Sequence, residues 1–153
     1  ARVRHFDEHA DERCTFCRIL FPPTDNVETF IHLFRTCEIV KGYLKFLLRN
    51  LNIIIQVPNL DPDPEQGHIA TDVFEYIYWY GTKDGTCSVS TVIFFELFRF
   101  VIWKFKTRKK LPKPREIFDI FTNMLGIMLR LSPKLRDTFT TNTLLSNCVQ
   151  ALG

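Results

Sequence analysis

The longest apolar run of the chain extends from Val89 to Phe105 and carries only Glu96 and Arg99 as acidic or early basic interruptions. A helix that is apolar on all sides belongs at the centre of a helical protein, and the Asp84-Gly85 pair just before it reads as a tight turn feeding that helix. Upstream, Phe30, Leu33, Phe34, Cys37, Val40, Leu44, Leu47, Leu48 and Leu51 recur at three- and four-residue steps, which predicts a long amphipathic helix. Asp25 with Glu28 resembles a capping box opening that segment, and Gly42 is expected to bend it. Ile69, Val73, Phe74, Ile77 and Tyr80 mark a further helix. Ile117, Ile120, Phe121, Met124, Leu125 and Met128 place one apolar stripe on Arg115 to Arg130, and two short helices finish the chain. Turn signals separate these segments at Pro22-Pro23, Pro58 to Gly67, Gly81 to Gly85, Leu111 to Pro114 and Ser132-Pro133. Ile53-Ile54-Ile55 has no partner strand and reads as the end of a helix. The expected class is all-α, in one domain spanning residues 1–153.

Composition adds a bulky aromatic core: of 153 residues, 46% are hydrophobic, 15 are Phe and only 6 are Gly. The net charge of +3 is mild. Most of the excess lies between Lys104 and Arg115, at the end of the apolar helix, where cations complement the helix dipole. That run reads as a solvated connection, with anionic lipid as the next choice of contact and no nucleic-acid partner. Five cysteines scattered through a chain rich in apolar residues fit reduced thiols in a cytoplasmic compartment, with no obligatory disulfide. No cleavable signal is visible, and Glu96 and Arg99 argue against a membrane span within the apolar run. The chain starts at Ala1 and stops at Gly153, which also suits a fragment whose continuation could carry a membrane anchor.

His5, His9, Cys14 and Cys17 are residue types that bind zinc, and His-x-x-x-His is a helical chelate. On one continuous helix, however, His5 and Cys14 are separated by about 13.5 Å of rise, far beyond the ~4 Å between ligands of a tetrahedral site. The segment would have to break to hold a metal, and the expectation is ordinary buried cysteines and surface histidines, with no cofactor. No phosphate loop, nucleophile elbow or recognisable acid pair appears, so no enzymatic activity is expected.

The series Phe74-Glu75, eight residues, Asp84-Gly85, eight residues, Phe94-Phe95 resembles, without a gap, the first homology region of the Bcl-2 family of apoptosis regulators. Leu131, Leu135, Phe139, Asn142, Leu145 and Val149 are similar to the family's second homology region and last helices, again ungapped. Leu33-x-x-x-Cys37-Glu38-x-Val40 resembles a degenerate third motif, and Leu44-x-x-Leu47-x-x-x-Leu51-x-Ile53 the short helix after it. The resemblance covers about residues 27–153. It implies a bundle of about eight helices around a central hydrophobic helix over about 87–106. The loss of motifs within a retained helical pattern most resembles virus-encoded members.

The resemblance implies an inhibitor of apoptosis that sequesters the amphipathic death-motif helices of pro-apoptotic relatives in a surface groove. Carried over, the groove is lined by Val40, Leu44, Leu47 and Leu48; by Ile77, Tyr80 and Gly81 with the Asp84-Gly85 turn; by Cys87, Val89, Ser90, Ile93 and Leu97 along the floor; and by Leu152 at one end. Where the family carries Asn-Trp-Gly-Arg this chain has Cys87-Ser88-Val89-Ser90, so Ser90 replaces the arginine that pairs with the ligand's aspartate. An unpaired desolvated carboxylate costs about 3–5 kcal/mol, so the expected binding is narrow in selectivity or helped by another cation, Lys83 or Arg99. Alternatives are a Bcl-2-fold scaffold with a closed groove, acting in immune signalling or as a homodimer, and a pro-death member. The expected location is the cytoplasm, in contact with a membrane surface such as the outer mitochondrial membrane.

Overall fold

Helix α3, Val89–Thr107, buries Phe94, Phe98, Val101, Ile102 and Phe105 on one side. The structure is a computed structural model that describes residues 13–20, 23–24, 26–29, 32–53, 89–143 and 145–152, apart from the side chains of 35 and 36. The other described elements are α1 (Thr15–Leu20), a π-helical turn (His32–Thr36), α2 (Glu38–Asn50), α4 (Pro114–Leu131), α5 (Pro133–Thr141) and α6 (Ser146–Leu152). The fold is all-α, with six α-helices among the described residues. The expected Ile69–Tyr80 helix, the Pro58–Gly67 loop and the Phe74-Glu75 motif lie outside them.

Helix α4 is the hub, packing against α2, α3, α5 and α6. Of its predicted stripe, Ile117, Phe121 and Leu125 are buried and Ile120, Met124 and Met128 half-buried, with Leu129 buried beside them. Phe121 meets Phe94 of α3 with ring centroids 4.8 Å apart, and Phe118 meets Phe46 of α2 edge-on at 6.1 Å. Gly126 lets α6 approach closely: a Cβ there would come within 3.4 Å of the Leu152 carbonyl oxygen and 3.3 Å of the Arg130 guanidinium.

Local chemistry sets the helix ends. Pro114 and Pro133 occupy first-turn positions, where a missing N–H is harmless. The Ser132 hydroxyl accepts the Leu135 N–H at 3.2 Å, capping α5, and the Glu116 carboxylate accepts the Lys113 N–H at 3.3 Å ahead of α4. Two helices finish with a residue at positive φ: Asn52 (54°) after α2 and Lys109 (53°) after α3. At each, the next N–H reaches back to the last turn: Ile53 to Leu48 O at 2.9 Å, Lys110 to Phe105 O at 3.1 Å. Ile53 is thus the buried exit of α2, and Tyr43 pins the α3–α4 connection by donating to the Pro112 carbonyl at 2.5 Å.

Two sequence expectations change. The long helix expected from Asp25 onward begins only at Glu38, and Glu28 is no cap: its buried carboxylate accepts the Thr15 N–H at 2.8 Å and pairs with Lys106 Nζ at 2.9 Å. Lys106 accordingly leaves the solvated basic run. Its ammonium lies 4.0 Å from the Trp103 ring centroid and its side chain is 8% exposed, so desolvation is offset by both a carboxylate and a π-face. This pair ties the segment around α1 to the last turn of α3.

Lys106→Met alone strands the Glu28 charge and is expected to cost about 3–5 kcal/mol in urea unfolding. Adding Glu28→Gln, whose amide oxygen can keep the Thr15 contact, should recover most of that; strict additivity would contradict a coupled buried pair. Lys109→Gly removes a left-handed penalty and should stabilise by about 1 kcal/mol in the same assay.

Candidate functional site

At about 100° of turn per residue, α3 divides cleanly into faces. Leu97, Ser90, Val101, Phe94, Phe105, Phe98, Thr91, Ile102, Phe95 and Lys106 are buried, whereas Val89, Val92, Glu96, Phe100, Trp103 and Thr107 are exposed on one arc of about 80°. That arc is mostly apolar: Val89 is 66% exposed, and Val92, Phe100 and Trp103 lie between 45% and 49%. The expectation of a helix buried on all sides therefore gives way to one with an open apolar stripe. Ile93, half-buried, borders the stripe, with Leu97 one turn further along. Arg99 sits at its other edge, paired with Glu96 and with its guanidinium 6.0 Å from the Phe34 ring centroid.

The groove residues carried over from the resemblance fall in different places. Val40, Leu44, Leu47 and Leu48 are core residues of α2, each at most 3% exposed. Val89 and Ile93 reach the open side of α3, and Leu152 is half-buried on α6. Ile77, Tyr80, Gly81, Asp84, Gly85, Cys87 and Lys83 lie outside the described residues. Ser90 is 1% exposed and faces inward, where the Asn142 amide donates to its hydroxyl at 2.7 Å and to that of Thr91 at 3.0 Å. Asn142 also accepts the Leu145 N–H at 3.3 Å, so one side chain joins the first turn of α3 to the α5–α6 connection. Residues from the segments that resemble the first and second homology regions thus meet in space.

A separate cleft of about 700 Å³ opens on the outer face of α2, between Ile39, Tyr43 and Phe46 and the α3–α4 connection at Leu111 and Pro112. It shares no residue with the predicted groove.

Near the start of the described chain, Cys14, Cys17, His32 and Cys37 bring one ligand atom each within 4.8 Å of the others. Cys14 Sγ lies 3.9 Å and Cys17 Sγ 3.7 Å from Cys37 Sγ, and Cys17 Sγ is 3.4 Å from His32 Nε2. All three cysteines are buried free thiols, as is Cys148. The Cys37 thiol, by hydrogen bonding to Cys14, lowers the Cys14 pKa and raises its own, while burial raises that of Cys17. The Cys148 thiol, buried in the core, is pushed up to about 12 by burial, which disfavours the reactive thiolate. Cys14 and Cys17 are buried, as expected, whereas His5 and His9 lie outside the described residues, and it is His32 and Cys37 that stand beside the two thiols. The sequence signal for this arrangement is Cys14-x-x-Cys17 followed by His32-x-x-x-x-Cys37, the latter opening α2.

Asn142→Ala, which removes a donor shared by two buried hydroxyls, is expected to cost about 1–3 kcal/mol of unfolding free energy. In a Ser90→Ala/Thr91→Val background the same change should cost markedly less; equal costs would mean that the three side chains are not coupled.

Comparison with protein-family models, with curated proteins and with solved structures finds no match to this chain, so the resemblance rests on the residues quoted for it.

Proposed function

We propose that this chain inhibits apoptosis by binding amphipathic death-motif helices of pro-apoptotic Bcl-2 proteins, with narrow selectivity. The observation that carries this reading is the open apolar stripe of α3, which includes the floor residue Val89 and is bordered by Ile93. A surface helix ordinarily turns a polar face outward, and contiguous exposed apolar residues mark interaction sites. An incoming helix with apolar residues at i, i+3/i+4 and i+7 matches the 3.6-residue period of such a stripe, and each large side chain fully buried contributes about 1.5–3 kcal/mol. The Asn142 contact to Ser90 and Thr91 supports the same reading, since it joins the two segments that most resemble the family. With Ser90 turned inward, the ligand carboxylate would look to a cation such as Arg99 at the edge of the stripe. No described helix is long and apolar enough to cross a membrane.

A second reading is favoured by the burial of Val40, Leu44, Leu47, Leu48 and Ser90. Side chains already packed in the core cannot line an open groove, as in a Bcl-2-fold scaffold whose groove is closed.

Calorimetric titration with a panel of death-motif peptides separates the two. The inhibitor reading expects one or a few peptides to bind at micromolar affinity or better, and Val92→Glu or Phe100→Ser to weaken them at least about tenfold, or ~1.4 kcal/mol, without changing stability. Failure of every peptide at tens of micromolar would leave the scaffold reading. Ser90→Arg should destabilise the fold, and a tighter complex in its place would mean that the position faces the ligand.

A further inference from the structure

We propose that Cys14, Cys17, His32 and Cys37 form a structural zinc site that fastens the first part of the chain to the helical core. Ligands of a tetrahedral zinc ion, at about 2.3 Å for sulfur and 2.0–2.1 Å for nitrogen, stand about 3.8 Å apart for S···S and about 3.6 Å for S···N. The observed 3.9, 3.7 and 3.4 Å separations fit both values, whereas a disulfide needs sulfurs at about 2.05 Å. Four protein ligands with three buried thiols describe a closed structural site rather than a catalytic one with an open position.

The surroundings suit thiolates. Cys37 stands at the N-terminus of α2, where the helix dipole favours negative charge. The Asn26 amide reaches Cys17 Sγ at 3.8 Å, and the Asn26 carbonyl accepts the Cys14 N–H at 2.8 Å. Such outer contacts orient ligands and tune a metal.

The fold gives the ion a task. Between Arg13 and Cys37 the described regular structure amounts to a six-residue helix, a five-residue π turn and one isolated bridge between Arg13 and Val27. Elements this short are not stable alone. A metal held by residues before, within and after them would set their arrangement, with the Glu28–Lys106 pair making the second attachment. The four ligands share no residue with the α3 stripe, and neither result of the peptide titration bears on them.

The test is metal content and cobalt spectroscopy on the reduced full chain. One zinc per chain should survive gel filtration, and Co²⁺ should replace it with the intense d–d and thiolate charge-transfer bands of a tetrahedral centre of three thiolates and one imidazole. Cys37→Ser should weaken the metal by about a hundredfold or more. If that variant fails to fold, His32→Cys keeps the test open, since it should retain one metal and shift the cobalt spectrum toward that of an all-thiolate centre. Cys148→Ser should leave stoichiometry and spectrum unchanged. A metal-free protein after zinc loading, a weak octahedral cobalt spectrum, a disulfide between two of the three cysteines, or a cobalt spectrum unchanged by His32→Cys would each overturn the proposal.

Discussion

Burial of one face of α3 is the constraint on which the rest of the structure depends. Phe94, Phe98, Val101, Ile102 and Phe105 are removed from water together, and α4 is placed where its Phe121 can meet Phe94. At about 25 cal/mol per Å² of apolar surface, each such side chain contributes on the order of 1.5–3 kcal/mol, more than a cap or a surface ion pair. The same helix carries the polar attachments: Ser90 and Thr91 receive Asn142 at its start, and Lys106 meets Glu28 at its end. Both ends of α3 are thereby fixed to segments distant in sequence. On the opposite side Val89, Val92, Phe100 and Trp103 stay exposed.

The chemistry of the polar contacts follows from where they sit. A lysine and a glutamate on an open surface contribute little, but a buried pair is costly to break because each member would be left desolvated. Asn142 works the same way on a smaller scale, as an amide whose donors and acceptor are used by two hydroxyls and a backbone N–H. These contacts specify how helices meet, while the apolar faces supply the driving force.

What could be read in the sequence was local. The α4 stripe, the paired short helices at the end and the breaks at Leu111–Pro114 and Ser132-Pro133 follow from helical periodicity and proline punctuation. Glu28 misled because three-residue spacing from Asp25 imitates a capping box, while its actual partner, Lys106, lies in another part of the chain. The run from Val89 to Phe105 looked uniformly apolar because Val92, Phe100 and Trp103, exposed here, are as hydrophobic as the buried residues beside them. Ser90 could be aligned with a family position, but alignment does not give the direction of a side chain. The Cys and His cluster was half legible: Cys14 and Cys17 stood out, and His32 and Cys37 did not, because a turn of chain through Val27 and Glu28 brings them back.

The most direct measurement of the central claim, that the open face of α3 receives an amphipathic helix, is NMR of the protein with a bound death-motif peptide. Intermolecular NOEs from the peptide's apolar side chains to the methyls of Val89, Val92 and Ile93 are predicted. NOEs confined to Ile39 and Leu111 in the cleft outside α2 would contradict it.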